Sequence, residues 1–310
     1  MDIQTRKINI YFKRSFGDKL NATFDFIRQN AKVLVKYIVY FLLPVSLIQA
    51  FTTNAFMGGA LSLDQTFQNT DLDHANALYS LGASYIGTIL LSIIGAILIT
   101  SIIYALMRIY EEREQKLQDI TWEEIRPRLF HNIKRLSLLF FITFILMIAA
   151  VVAIVILAYA SKVTLILTIP AFVAVLIPYA MLPCTYLFED ISFGNAFAKA
   201  FRLGFKTWGG TFGIIFIMGL IASILQGVTT TPWYVATLVK TYFSVTETES
   251  LFLSSTGFEF LMYLLGIIQA FGSYLAGGFT LIGMAYQYGH ASETVDNKSV
   301  DTAITNFENL

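Results

Sequence analysis

Cysteine is almost absent from this chain, Cys184 being the only one. A single thiol excludes an internal disulfide and a cysteine-built metal cage, and its place inside an apolar run reads as a packing residue rather than a nucleophile. Charge is also scarce. Only 14% of the 310 residues are charged and 56% are apolar, against about 25% and about 45–50% in a soluble globular chain. The 21 basic and 21 acidic residues cancel, so net charge indicates no nucleic-acid partner. The three histidines, His74, His131 and His290, share no metal-ligand spacing. His74 beside Asp71 and Asp73 reads as an exposed acidic loop.

No H-E-x-x-H, P-loop or G-x-S-x-G pattern occurs, so no catalytic residue, cofactor or metal is expected. Ionisable residues are missing from the central part of every long apolar run, which argues against an ion-coupled carrier. Glu259 falls near a run's outer end and reads as a solvated boundary residue. The polar stretch from Met1 to Lys32 has neither the short apolar core nor the cleavage site of a secretory signal. The first apolar run is therefore expected to act as an uncleaved signal.

What the chain has is length of apolar sequence. A helix needs about 20 apolar residues to cross about 30 Å of hydrocarbon. Six stretches qualify: 33–56, 79–107, 136–160, 163–187, 212–231 and 258–288. The expected fold is all-α, a polytopic membrane protein. Segment 1–32 is a cytoplasmic lead with a surface helix, 33–288 is the six-helix membrane domain, and 289–310 is a polar cytoplasmic tail. Pro170, Pro178 and Pro183 all fall in the fourth span, which predicts a kink there; Pro44 lies in the first.

Orientation follows from lysine and arginine. Nineteen of the 21 fall in the lead and the mouth of the first span, in alternate links or in the tail; the other links hold only Lys162 and Lys240. Both ends are expected in the cytoplasm, with Asp64, Asp71, Asp73, Glu247 and Glu249 outside.

Three cytoplasmic segments look alike. Each opens on a residue suited to capping a helix, Asn21, Thr121 or Ser192, after the leads K-L-N, D-I-T and D-I-S. Thr121 with Glu124 also fits a capping box. Apolar residues follow at helical spacing: Phe24 and Ile27; Ile125 and Leu129; Phe193, Phe197 and Phe201. The pattern predicts three amphipathic surface helices, each leading into a hairpin, in a threefold repeat. The basic residues beside those faces are candidate contacts for anionic lipid: Arg28, Lys32, Arg126, Arg128, Lys134, Lys199, Arg202 and Lys206.

Small residues form stripes on two spans: Ser84, Thr88, Ser92 and Gly95 on the second, and Gly266, Ala270, Ser273, Gly277 and Thr280 on the sixth. Small faces let helix backbones approach closely, so these read as packing positions. Gln226 and Gln269 are expected to be buried and to hydrogen-bond between helices. Gly209-Gly210 reads as a hinge or a close-packing point.

The run EDISFGNAFAKAFRLGFKTWGGTFGII from Glu189 resembles a segment of bacterial six-span families. These are the membrane domain of glycerophosphodiester phosphodiesterases and related uncharacterised integral membrane proteins. Ser192, Ala196, Ala200, Arg202, Leu203, Lys206 and Trp208 fit that pattern, and FDFIRQNAKVLVKY from Phe24, with Pro44 following, resembles the families' opening helix. The resemblance implies a fold without its catalytic domain, for which 289–310 leaves no room, so no catalytic residue carries over. The leading expectation is a non-enzymatic bacterial inner-membrane protein that organises, binds or senses lipid, anionic lipid included, or a membrane-protein partner. A transporter or channel for a neutral or lipidic substrate is the alternative, and a lipid-processing enzyme a weaker one.

Overall fold

Inside hydrocarbon a backbone amide or carbonyl finds no water, so helix is the open-chain solution for runs this long. The computed structural model describes residues 7–66, 71–245 and 255–298. Among the described residues there are eight helices and no strand: α1 Phe16–Thr66, α2 Asp71–Glu112, α3 Trp122–Ala160, α4 Thr164–Tyr179, α5 Leu182–Phe188, α6 Phe193–Lys206, α7 Trp208–Val245 and α8 Thr256–Asp296. Six segments are long and apolar enough to cross a membrane, α4 and α5 together making one of them. The fold is that of an all-α multi-pass membrane protein. Large apolar side chains stay exposed along the spans, as with Phe141, Tyr159 and Ile166, which suits lipid as solvent.

The helices run well past the predicted spans. The 51 residues of α1 extend about 76 Å at 1.5 Å per residue. Asn21 does not cap it. Helix begins at Phe16, and Ser15 and Asp18 close the end reciprocally: the Asp18 amide donates to Ser15 Oγ, and the Ser15 amide to Asp18 Oδ2, each at 3.3 Å. No glycine or proline separates Asp18 from Leu43, so nothing stops the helix where lead and span were expected to part. Thr121 and Ser192 do sit at the N-caps of α3 and α6, although neither side chain makes a capping hydrogen bond. The segment from Thr121 likewise runs into its span as one helix; only Ser192–Lys206 forms a helix of its own. The three segments are therefore not equivalent elements, and no threefold repeat emerges. α7 runs on through Thr-Thr-Thr-Pro, beyond the 212–231 span. There Thr231 Oγ1 donates to the Gly227 carbonyl at 2.7 Å and Thr229 Oγ1 to that of Gln226 at 3.0 Å, supporting the helix before Pro232. α8 continues to Asp296, eight residues into the predicted tail.

The described residues cluster into two compact units. One is drawn from Met1–Leu34, Thr100–Gly219 and Phe279–Leu310, the other from Val35–Ile99 and Leu220–Gly278. The first has an aromatic core, with Phe26 edge-on to Tyr110 at 5.0 Å and Phe188 between Tyr104 and Tyr288 at 5.2 and 5.7 Å. A non-helical strap ahead of α1 lies on it. The amides of Ile8 and Ile10 donate to Tyr110 Oη at 3.0 Å and Glu111 Oε2 at 2.9 Å. Ile10 is buried, and any Cβ on Gly289 would stand 2.1 Å from its carbonyl oxygen.

In the second unit the small stripe of α2 meets α1 and α8. Ser92 Oγ accepts from Gln49 at 3.1 Å, and Thr88 Oγ1 donates to Thr52 Oγ1 at 3.1 Å. A Cβ on Gly95 would stand 2.1 Å from the Tyr274 ring, whose hydroxyl is held by Gln49 and the Leu91 carbonyl. Ser84 bonds within its own helix, to the Ser80 carbonyl. On α8, Gly266 approaches Ala50 and Asn54, Ala270 is buried, and Ser273 Oγ turns back to the Gln269 carbonyl. Thr280 is half-buried. Gly277 is the exception to the stripe: a Cβ there meets nothing within 4 Å.

Gly95→Leu should therefore lower the unfolding temperature in detergent, by the about 1–3 kcal/mol typical of overpacking. Gly277→Ala should leave it unchanged or raise it, since it gains helix propensity without a clash. Thermal unfolding of the two variants side by side checks the assignment.

Candidate functional site

The most constrained place in the first unit is the corner where the fourth span ends and α6 begins. Pro183 has no amide to donate to the carbonyl one turn back, and it sits instead in the first turn of α5, where none is needed. The span accordingly breaks at Ala180 and Met181 between α4 and α5, as the three prolines predict. α6 crosses the break. Ala196, Ala200, Leu203 and Gly204 are its buried face, and a Cβ on Gly204 would stand 2.4 Å from Pro178 Cα. Trp208 Nε1, at the start of α7, donates to the Ala174 carbonyl of α4 at 3.1 Å.

A seven-residue helix leaves its last carbonyls open, and here arginines close them. Arg135 donates to the Tyr186 carbonyl at 2.8 Å and to that of Ile191, with its guanidinium 3.8 Å from the Tyr186 ring centre. Arg108 donates to the Leu187 carbonyl at 2.9 Å. The acidic lead Glu189-Asp190 completes the corner. Glu189 accepts from Tyr288 Oη at 2.5 Å and pairs with Lys199 at 2.8 Å. Asp190, at φ 55°, pairs with His131 at 2.9 Å and Arg135 at 2.8 Å. The His131 hydrogen bond, then the Arg135 charge, hold its carboxyl below the ordinary aspartate value. Burial opposes the charge on Lys199, but Glu189 and Asp296 outweigh it and keep the ammonium pKa above the usual lysine value.

A second polar cluster was invisible in the sequence. Lys19, 3% exposed, donates from Nζ to Gln287 Oε1 at 2.7 Å. Gln287 Nε2 in turn donates to Thr211 Oγ1 at 3.1 Å and Thr207 Oγ1 at 3.3 Å. Gly210 makes room: a Cβ on it would fall 3.2 Å from Gln287 Nε2 and 3.3 Å from Lys19 Nζ. The hinge reading of that glycine gives way to close packing. No carboxylate pairs with Lys19 among the described residues. The glutamines singled out from the sequence are not this one. Gln226 is exposed on α7 and Gln269 half-buried on α8, so Gln226 corrects the expectation of burial. A hydrophobic run shows that a glutamine is there, but not which way it faces.

The eight basic candidates divide. Lys199 and Arg202 pair with Asp296 at 3.0 and 2.7 Å, Arg128 with Glu112 at 2.7 Å, and Arg28 with Asp25 at 3.1 Å. Lys32, Arg126, Lys134 and Lys206 are exposed and make no ion pair among the described residues. They sit in exposed rows with aromatic or basic residues at helical spacing. Phe24, Arg28 and Lys32 form one on α1; Trp122, Arg126, Phe130 and Lys134 form one on α3. On α6 the half-buried rings of Phe193, Phe197 and Phe201 run into exposed Phe205, beside Lys206. The apolar faces also need correction: Phe24 is exposed and Phe26 buried on α1, while α6 buries Ala196, Ala200, Leu203 and Gly204 rather than its phenylalanines. Ile125 and Leu129 are buried as expected. The side chains of Asp64, Asp71, Asp73, His74, Glu247 and Glu249 lie outside the described residues.

Comparison with protein-family models, curated proteins and solved structures finds no match to this chain.

Two outcomes follow from the geometry. Gln287→Leu should destabilise by about 1–3 kcal/mol, because it strands the Lys19 ammonium. Adding Lys19→Met should recover most of that loss; strictly additive unfolding temperatures would mean the pair does not interact. At the corner, the Asp190 contribution is in place above the ordinary aspartate range and is lost as pH falls through the depressed native value. Asp190→Asn tolerates the left-handed backbone while removing the charge. It should flatten that acid-side loss, and Asp190→Ala should lower the unfolding temperature further, both read from thermal unfolding across pH.

Proposed function

We propose that this chain is a non-enzymatic multi-pass protein of the bacterial inner membrane, with both ends in the cytoplasm, that binds anionic lipid at its cytoplasmic face. The observation that carries the reading is the interleaving of exposed aromatic and basic side chains on α1, α3 and α6, clearest in Trp122, Arg126, Phe130 and Lys134. Aromatic rings favour the headgroup boundary, and each Lys or Arg near anionic lipid contributes about 1 kcal/mol. α6 supports it further: 14 residues cannot span, and its aromatic row stays outside the packed face. Three surface helices become, in this reading, two extended span ends and one in-plane helix.

The resemblance to the membrane domain of glycerophosphodiester phosphodiesterases fits a lipid-handling role. A transporter would use the break in the fourth span as its site. That break is filled: Met181, Leu182 and Cys184 are fully buried and Gly204 rests on Pro178.

Reversing Lys134 and Lys206 to Glu should lower retention of phosphatidylglycerol in native mass spectrometry by about fivefold or more, with insertion unchanged. These two are chosen because neither holds an internal partner, unlike Lys199 and Arg202. Unchanged retention would reduce the charges to orientation signals. Cys184 is fully buried, so a cysteine placed at position 206 reports alone; its labelling from outside intact cells would overturn the orientation.

A further inference from the structure

The second unit holds a cavity that the basic rows do not involve. Its volume is about 490 Å³, and Asn54, Met57, Lys240, Glu259, Met262 and Tyr263 are among its lining residues. They come from α1, α7 and α8.

Its floor is built and satisfied. Asn54 Oδ1 accepts from Trp233 Nε1 at 2.8 Å, and Asn54 Nδ2 donates to the Met262 carbonyl at 3.1 Å. Thr237, which also lines the cavity, donates to the Trp233 carbonyl at 2.9 Å. Trp233, Phe258 and Met262 pack as a buried cluster, with Met57, Ala236 and Leu265 against them. Both ends of the Asn54 amide are thus used inside the wall, and the cavity does not depend on a ligand for its shape. Tyr263 is committed too, its hydroxyl donating to the Leu47 carbonyl at 3.1 Å.

A lysine and a glutamate remain. Lys240 is half-buried and Glu259 exposed. Both line the cavity, and neither side chain makes an ion pair or hydrogen bond among the described residues, with each other included. Opposite charges that share a cavity yet stay unpaired leave room for a molecule between them. Apolar residues also line the cavity, among them Phe51 and Phe260, which are 68% and 61% exposed. A ligand for this place needs an anionic group for Lys240, a cationic group for Glu259, and chains that lie on exposed aromatic rings.

We infer that the cavity binds the headgroup of a zwitterionic phospholipid, phosphate toward Lys240 and ammonium toward Glu259, with the acyl chains along Phe51 and Phe260. The chemistry separates this lipid from two others of similar bulk. A phosphoglycerol headgroup satisfies Lys240 alone, and diacylglycerol satisfies neither charge.

The test is native mass spectrometry of the full chain in detergent with equal amounts of phosphatidylethanolamine, phosphatidylglycerol and diacylglycerol, comparing the unaltered chain with Glu259→Gln and Lys240→Gln. The basic rows are common to all three chains, so ratios between them cancel that contribution. Glu259→Gln should lower retention of phosphatidylethanolamine relative to phosphatidylglycerol by about fivefold, the factor for one charge contact near the headgroups. Lys240→Gln should lower both phospholipids relative to diacylglycerol by a similar factor. Neither side chain has an internal partner, so both variants should unfold at the parent temperature, and a matched unfolding curve excludes a general loss of fold. Unaltered ratios in both variants would overturn the inference. So would a loss in Glu259→Gln that falls equally on all three lipids. Reversal of Lys134 and Lys206 should lower phosphatidylglycerol and leave the ratio of phosphatidylethanolamine to diacylglycerol as it is, whereas Glu259→Gln and Lys240→Gln each lower that ratio, so failure of the basic-row reading and failure of this one are distinguishable.

Discussion

A hydrocarbon interior offers no partner to an open carbonyl or amide, so a span that stops being helical must have its free ends closed by side chains. In the fourth span the carbonyls at the break itself, those of Leu176, Ile177 and Pro178, stay bonded to the amides of Ala180 and Met181, so the ends left for side chains are those of α5, and the first unit is arranged around them. Arg108 and Arg135 take the carbonyls at the end of α5. α6 lies over the break because Gly204 has no side chain to keep it off Pro178. Glu189 and Asp190, between the two helices, tie the corner to α8, α6 and α3 through Tyr288, Lys199 and His131. A Cβ at position 204 would be resisted by proline backbone, which cannot rotate away.

The same corner shows how charges in a membrane protein serve two ends. A lysine or arginine beside a span orients the chain during insertion, whatever it later touches. Arg108, Arg135 and Lys199 belong to the basic set of the sequence, yet after folding they cap carbonyls and pair with acids. Lys32, Arg126, Lys134 and Lys206 keep their charge outward. Only the second group is available to a headgroup, and the proposed lipid contact rests on it.

Buried polarity follows a similar division. Lys19 belongs by sequence to a soluble lead, but the continuation of α1 backward to Phe16 carries it into a packed setting beside Gln287, Thr207 and Thr211. Gln226, the more prominent residue in an apolar run, is exposed. Burying polar atoms in a bundle is tolerated where hydrogen-bond partners converge, and convergence depends on helix rotation.

Much was nevertheless legible. Six apolar runs, helix throughout, the break at the prolines, and helix starts after Thr121 and Ser192 follow from local chemistry: chain length against bilayer thickness, missing amides, and backbone preferences at helix ends. Helix ends in polar sequence were not legible, because a helix stops where something stops it, and no glycine or proline stands between Asp18 and Leu43. Nor was the depth of the stripes. Gly95 and Gly277 are alike in spacing and residue type, but a Tyr274 ring lies against one and nothing against the other. By itself, then, the sequence determined that this chain crosses a membrane as helices and which of its loops are basic, since hydropathy and charge act one residue at a time. Which lysines are free, which glutamine is buried, and that Lys240 and Glu259 share one cavity were decided only by tertiary structure, because each depends on the rotation of one helix against another.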